Sequence, residues 1–118
     1  RVRDNLKNWG TGALRRPSTE KPFSDLIQSS PARGVEREMA SHPSLKPQAF
    51  MRQIVWAALP LGKGIIVDPF MGSGSTIAAA EHLGLESIGL EINREYFQIA
   101  QRVIPRLADL DLSDLSKS

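Results

Sequence analysis

The chain of 118 residues contains no cysteine. It therefore cannot form an internal disulfide, build a thiolate metal site or supply a cysteine nucleophile. Aromatic residues are scarce at 6%, and no apolar run approaches the roughly 20 residues of a membrane-spanning helix. No secretory signal is visible. We expect a soluble, cytoplasmic protein of one small domain at most, without a metal site, and its start at Arg1 rather than methionine suggests a piece of a longer protein.

Charge is distributed unevenly along the chain. Residues 1–63 carry eleven Lys/Arg against five Asp/Glu, whereas residues 64–118 carry four against eight. Cations mixed with an aromatic residue, here Trp9, suit a nucleic-acid backbone and a stacking contact. A solvated surface arm explains the composition equally well. The candidate DNA-contacting residues are Arg1, Arg3, Lys7, Arg15 and Arg16.

Regular periodicity begins only after residue 43. The preceding segment is interrupted repeatedly by glycine and proline and predicts neither helix nor strand. Pro47 suits the first turn of a helix, and apolar residues then recur at helical spacing from Phe50 to Leu59. Strands are predicted near 64–68 and 87–91, with a helix near 75–83 between them. A strand–helix–strand order predicts a parallel pair.

The end of the chain predicts one more helix. Asn93 is a plausible cap for a helix from Arg94 to about Val103, and Pro105 is expected to bend or restart it. The acidic, serine-rich residues 109–118 are expected to form a flexible tail.

The most informative segment is the sequence DPFMGSGST at residues 68–76. A β-branched run ends at Asp68, and a glycine-rich turn opens onto an alanine-rich helical segment, which is typical of a cofactor loop in an α/β sheet. Two glycines one residue apart let the backbone pass close to a ligand. The hydroxyls of Ser73, Ser75 and Thr76 can cap the helix or donate to a carboxylate. An ordinary strand-to-helix turn is the alternative.

Two further positions narrow the class of ligand. Ile77 stands where the dinucleotide fingerprint needs its third glycine, so a pyrophosphate-binding loop is disfavoured. Glu91 ends the second predicted strand about 20 residues after the loop, where an acid can accept hydrogen bonds from ribose hydroxyls. Together they favour a cofactor that contains adenosine and is smaller than NAD.

Three motifs in this order resemble the amino-specific DNA methyltransferases: HPSLKP at 42–47, DPFMGSGST at 68–76 and GLE at 89–91. That family methylates N6 of adenine or N4 of cytosine with S-adenosylmethionine. An HP-x-x-KP motif ahead of the glycine loop is similar to the circularly permuted, beta-type group. The resemblance covers about residues 40–108. It implies a partial Rossmann-like α/β methyltransferase fold with parallel strands and flanking helices, in which the catalytic half is missing.

The resemblance also implies roles for individual residues. Glu91 would hold the ribose hydroxyls and Ile92 would pack against adenine, while Ser44, Lys46 and Pro47 would close over the methionine end. The implied cofactor-binding residues are Ser44, Lys46, Pro47, Asp68, Phe70, Gly72, Ser73, Gly74, Ser75, Thr76, Glu91 and Ile92. His42 is interpreted as a turn or packing residue.

The family's (D/N/S)-P-P-(Y/F/W) motif, which grips the base after it leaves the duplex, occurs nowhere in the chain. The resemblance therefore implies that the chain has no catalytic residue of its own and is inactive alone. It would act on double-stranded DNA together with a missing N-terminal catalytic part or a partner chain, and a homodimer is a further option.

The implied organisation is a basic extended segment at 1–41 that ends a target-recognition region, a cofactor-binding βαβ region at 42–108, and a tail at 109–118. Alternative hypotheses are a non-catalytic S-adenosylmethionine-binding or DNA-associated module, a fragment of a nucleotide-dependent oxidoreductase, and an enzyme that acts on RNA. Methylation of cytosine C5 is disfavoured because that chemistry needs a cysteine.

Overall fold

A computed structural model describes residues 14–21, 24, 26–29, 31–32, 34–39 and 45–113. The elements within these ranges are α1 (Val35–Met39), α2 (Gln48–Ala58), β1 (Ile65–Asp68), α3 (Ser75–His82), β2 (Glu86–Gly89) and α4 (Arg94–Asp109). The two strands pair in parallel, with Ile65 opposite Glu86 and Asp68 opposite Gly89. The predicted α/β class with parallel strands and flanking helices is confirmed. None of the helices in the described part of the chain has the length and apolarity required to cross a membrane.

The structure departs from the predicted elements in two places. A short helix, α1, lies in the segment for which no helix was predicted, and its five residues are too few to show a helical period. The last helix was predicted to run to about Val103 and to bend or restart at Pro105, but α4 does not restart there and runs on to Asp109. Burial of Val103 and Leu107 on either side of the proline offsets the cost of about 3 kcal/mol that proline carries inside a helix. Leu110, in the predicted tail, is also buried.

One face of the sheet is packed and the other is open. Ile66 of β1 is buried in a core cluster with Met51, Val55, Ala79 and Ala80. The alternate side chains point to the opposite face, and three apolar ones there are about half exposed: Ile65, Val67 and Ile88. Parallel sheets normally have both faces covered, whereas the described residues cover only one face of this sheet.

Helix α3 occupies the centre of the covered side, where it packs against both α2 and α4. Its three consecutive alanines are fully buried, and their small side chains let the two neighbouring helices approach closely. A second core cluster, on the α4 side, combines Ala32, Leu45, Ala78, Val103 and Leu107.

A buried polar network joins three of the helices. Glu36 of α1 accepts a hydrogen bond from the backbone N–H of Gln48 at the start of α2 (2.7 Å). One turn later, Arg52 donates to the carbonyl oxygens of Leu107 (2.9 Å) and Leu110 (2.8 Å) at the end of α4. Burial lowers the pKa of Arg52, and attraction to Glu36 and to the carboxylate of Asp111 opposes that shift. Charges that are buried in this way require such partners.

Gly74 determines how the glycine loop meets α4. It precedes α3 with φ of 87°, in the left-handed region that only glycine adopts without cost. A Cβ placed there would collide with the side chain of Ile104 and touch Ala100. The loop therefore reaches α4 with backbone, and no side chain can stand between them.

We predict that Gly74→Ala lowers the free energy of unfolding by about 2–4 kcal/mol, because left-handed strain adds to overpacking against Ile104. Gly84→Ala is the matched control, since Gly84 also has positive φ (71°) but has open space around its Cβ position. It should cost only the backbone strain of about 1–2 kcal/mol. Urea denaturation of both variants measures the difference, and equal losses would contradict the packing role of Gly74.

Candidate functional site

The carboxyl ends of the two strands position the glycine loop. The Leu90 N–H donates to the Asp68 carbonyl (2.9 Å), and the Met71 N–H donates to the Leu90 carbonyl (3.0 Å). The Asp68 carboxylate accepts from the Phe70 N–H (3.0 Å). The loop is therefore a continuation of the strand ladder, and its first residues are fixed against the end of β2.

Glu91 fastens the middle of the same loop. Its Oε1 accepts from the Gly72 N–H (3.1 Å) and its Oε2 accepts from the Asn93 N–H (2.9 Å). Asn93 in turn caps α4 by accepting from the Tyr96 N–H (3.1 Å). An ionised carboxylate has about four lone-pair sites, so two remain for a ligand after these two bonds. Glu91 thus holds the loop and retains the capacity to accept from hydroxyl groups.

A cleft of about 360 Å³ opens beside the loop, between the start of α3 and one face of α2. The residues that line it are Lys46, Phe50, Met51, Ile54, Asp68, Phe70, Met71, Gly72, Ser75 and Thr76. Six of them belong to the cofactor-binding set predicted from the sequence: Lys46, Asp68, Phe70, Gly72, Ser75 and Thr76. The two segments are joined directly, because the Lys46 N–H donates to Ser75 Oγ (3.2 Å).

Other predicted cofactor residues, Glu91 among them, lie outside the cleft wall. Ser73 and Gly74 are buried behind the loop, where Gly74 faces α4. Pro47 immediately precedes α2, and Ile92 is fully exposed one residue after Glu91. Their predicted cofactor contacts stay predictions. Ser44 and His42 fall outside the residues that the structure describes.

The sequence interpretation missed four lining residues. Phe50, Met51 and Ile54 belong to α2, and Met71 belongs to the loop. Phe50 and Ile54 were assigned to an apolar helical stripe, which indicates burial but does not distinguish a core from the wall of a cleft. Ile54 remains 37% exposed, in keeping with a position on the wall of an open cleft. Met71 lies within the loop motif, so its position directly before Gly72 was the available signal.

The lining suits a ligand with an apolar body and charged ends. Lys46 contributes a cation, and the N-terminus of α3 at Ser75 contributes backbone N–H groups and a positive helix dipole. Asp68 contributes an acceptor to the lining. Glu91 does not line the cleft, but it lies beside it because its carboxylate accepts from the N–H of the lining residue Gly72. Within the described ranges, no cluster of three or more His, Cys, Asp or Glu side chains is suited to a metal ion. This arrangement suits the binding and orientation of such a ligand.

Arg15 and Arg16, both predicted to contact DNA, lie along α2. The guanidinium of Arg15 stacks over the ring of Trp56 at 3.5 Å, and its backbone N–H donates to the Ala57 carbonyl (3.0 Å). Trp56 Nε1 donates to the Arg16 carbonyl (3.1 Å), and the Arg16 side chain is exposed. The predicted contacts Arg1, Arg3 and Lys7 are not among the described residues.

The sequence of the chain is similar to those of known DNA methylases. A family model described as DNA methylase, for the N6/N4 methyltransferases, matches residues 3–102. The type II methyltransferase M2.DpnII of Streptococcus pneumoniae is 35% identical over 82 residues, which are 70% of this chain and 30% of that protein. The DNA adenine methyltransferase YhdJ of Escherichia coli (strain K12) is 36% identical over 80 residues, which are 68% of this chain and 27% of that protein.

A solved structure extends the similarity to the fold. The crystal structure of the M1.HpyAVI-SAM complex superposes with a TM-score of 0.62 at 36% identity, covering 83% of this chain and 44% of that one. The predicted partial methyltransferase-type α/β fold is confirmed. The chain spans less than a third of the length of those two curated relatives.

We predict that Glu91→Ala destabilises the chain by about 1–3 kcal/mol even without ligand, because the N–H groups of Gly72 and Asn93 lose a charged acceptor. Glu81→Ala, at an exposed position of α3, should stay within about 0.5 kcal/mol of the parent. Thermal unfolding of the two variants makes the comparison. Equal stabilities would mean that Glu91 does not hold the loop.

Proposed function

Because this chain belongs to the N6/N4 DNA methylase family, we propose that it is the cofactor-binding part of a DNA methyltransferase. It binds S-adenosylmethionine and presents it to the exocyclic amine of adenine (N6) or cytosine (N4) in double-stranded DNA. The observation that carries the proposal is the cleft at the carboxyl end of β1, where the glycine loop meets the segment of Lys46 through the hydrogen bond to Ser75.

The cleft offers a complementary group for each part of that cofactor. The N-terminus of α3 and the ammonium of Lys46 suit the methionine carboxylate, and the carboxylate of Glu91 retains lone pairs for ribose hydroxyls. Exposed Ile92 and the apolar wall on α2 suit the adenine ring and the thioether side of the cofactor. When bound, S-adenosylmethionine supplies an electrophilic methyl group. The residues of this chain hold it in place and exclude water from one side.

Binding of the target base belongs to another part of the protein. No D-P-P-Y-like motif is present in the sequence, so a missing N-terminal part or a partner chain would grip the flipped base. In support, the apolar face formed by Ile65, Val67 and Ile88 is open in the described structure. We propose that the catalytic part covers this face and places the amine in line with the methyl group, where positioning dominates catalysis.

A second candidate is a non-catalytic module that binds S-adenosylmethionine or DNA. The absence of the base-gripping motif from this sequence favours it. A D-P-P-Y-like motif upstream in the same reading frame, or on a partner chain, would decide for the methyltransferase. Its absence from both would decide for the module.

We predict saturable binding of S-adenosylmethionine in a calorimetric titration, and no binding of NADH as the control ligand. Thr76→Trp should abolish binding, because the indole fills the cleft that Thr76 lines. Gln98→Trp adds the same bulk on the exposed side of α4 and should leave the affinity unchanged. Absence of binding by the folded parent chain would contradict the assignment of the cleft, and binding of NADH would favour an oxidoreductase.

For DNA binding, we predict different effects for Arg15 and Arg16, the two predicted DNA contacts that the structure describes. Arg16→Ala should reduce the salt dependence of DNA binding by about one unit of log K against log salt, the change expected for losing one phosphate contact. Arg15→Ala should also lower stability by about 0.5–2 kcal/mol, because it removes the cation–π contact with Trp56. An unchanged slope for both would show that this segment is a solvated surface. Arg102→Ala, which removes an exposed cation on α4 outside the basic segment, is the charge-matched control.

A further inference from the structure

Gln48, the first residue of α2, is fully buried but does not line the cleft. Burial of an amide is costly unless its polar atoms are hydrogen-bonded, and both side-chain atoms have partners. Its Nε2 donates to the Ser75 carbonyl (2.9 Å), and its Oε1 accepts from Arg52 Nε (3.3 Å). Its backbone N–H donates to Glu36 Oε1 (2.7 Å).

Arg52 sets the direction in which the Gln48 amide points. A guanidinium has donors only, so the amide oxygen must face Arg52 and the NH₂ must face the Ser75 carbonyl. The reversed amide would place two donors together at Arg52 and two acceptors together at Ser75. Arg52 is itself fixed by the carbonyls of Leu107 and Leu110. The amide therefore has one satisfactory orientation.

Ser75 connects the hydrogen bonds of Gln48 to the cleft. It is the first residue of α3 and lines the cleft, and its Oγ accepts from the Lys46 N–H (3.2 Å). Gln48 thus holds the backbone of Ser75, while the hydroxyl of Ser75 holds the backbone of Lys46. A displacement of the Ser75 carbonyl would move both the N-terminus of α3 and the Lys46 segment.

We propose that Gln48 is a positioning residue for the cofactor cleft, with its side chain oriented by Arg52. This inference rests on the proposed function, since the ligand used to test it is S-adenosylmethionine. Gln48 acts through Ser75 and does not touch the ligand. Its effect on binding should therefore exceed its effect on stability.

The test compares Gln48→Met with Val55→Ala in the full chain. Methionine keeps the length of the side chain but cannot donate to the Ser75 carbonyl. Val55 is buried on the same helix and belongs neither to the hydrogen bonds of Gln48 nor to the cleft lining, although its core cluster includes the lining residue Met51. Its truncation therefore measures how far a loosened core alone changes binding. We expect Gln48→Met to raise the Kd for S-adenosylmethionine about tenfold, the scale of one buried hydrogen bond. Val55→Ala should leave it within about twofold at a similar loss of Tm.

A measurement without ligand accompanies the titration. Hydrogen exchange at the Lys46 amide should be about tenfold faster in Gln48→Met than in the parent, since its acceptor on Ser75 is no longer fixed. Gln48→Glu provides a second variant: it keeps an acceptor for Arg52 and loses the donor to Ser75. It should reproduce both effects if Gln48→Met fails to fold.

The outcomes separate this proposal from the proposed function. If the parent chain does not bind S-adenosylmethionine, the proposed function fails, and the exchange rate of Lys46 decides the role of Gln48. Unchanged exchange in the Gln48 variants, or a change in Kd no larger than that of Val55→Ala, would overturn the positioning role. If neither Gln48 variant folds while Val55→Ala does, Gln48 is required for folding and the positioning role is likewise overturned.

Discussion

The described structure depends on the buried guanidinium of Arg52. A charge taken out of water is costly unless it is paired and hydrogen-bonded, and Arg52 donates three hydrogen bonds, two to the terminal carbonyls of α4 and one to the amide of Gln48. Those carbonyls are the groups that a helix end leaves without an internal partner. One side chain thus satisfies its own charge and caps α4. It also fixes α2 against α4 and, through Gln48, against the start of α3, and the cleft lies between α2 and the start of α3.

The glycine loop is held from two sides, and these contacts restrict its conformation. Glu91 fastens Gly72 to the strand end, and Gly74 presses backbone against Ile104 of α4. The loop is therefore shaped before any ligand arrives, and binding need not be opposed by the entropy of ordering it. The same arrangement explains why the two glycines differ: Gly72 lines the cleft, whereas Gly74 serves the packing behind it.

The order of elements and the loop could be predicted from the sequence because both are local signals. Each signal is contained in a short stretch of sequence: the strand and helix periods, the cap at Asn93 and the DPFMGSGST segment. The buried network could not be predicted, since Glu36, Gln48 and Arg52 look like ordinary solvent-facing residues until α1, α2 and α4 are brought together. For the same reason the stripe on α2 indicated burial without revealing that Phe50 and Ile54 face a cleft. Pro105 misled the prediction because packing on either side outweighs the local preference of proline.

We proposed that this chain binds the cofactor and that another part holds the target base. This proposal agrees with which apolar side chains are buried and which are exposed. On the covered face, Ile66 and the alanines of α3 are buried, and Glu36, Gln48 and Arg52 of the network each have a partner among the described residues. On the other face, Ile65, Val67 and Ile88 remain half exposed, and burying each such side chain fully would contribute about 1.5–3 kcal/mol at most. Covering that face with the catalytic part would therefore couple assembly of the enzyme to completion of its sheet. The cofactor site would be formed first, and catalytic competence would come only with the segment that completes the fold.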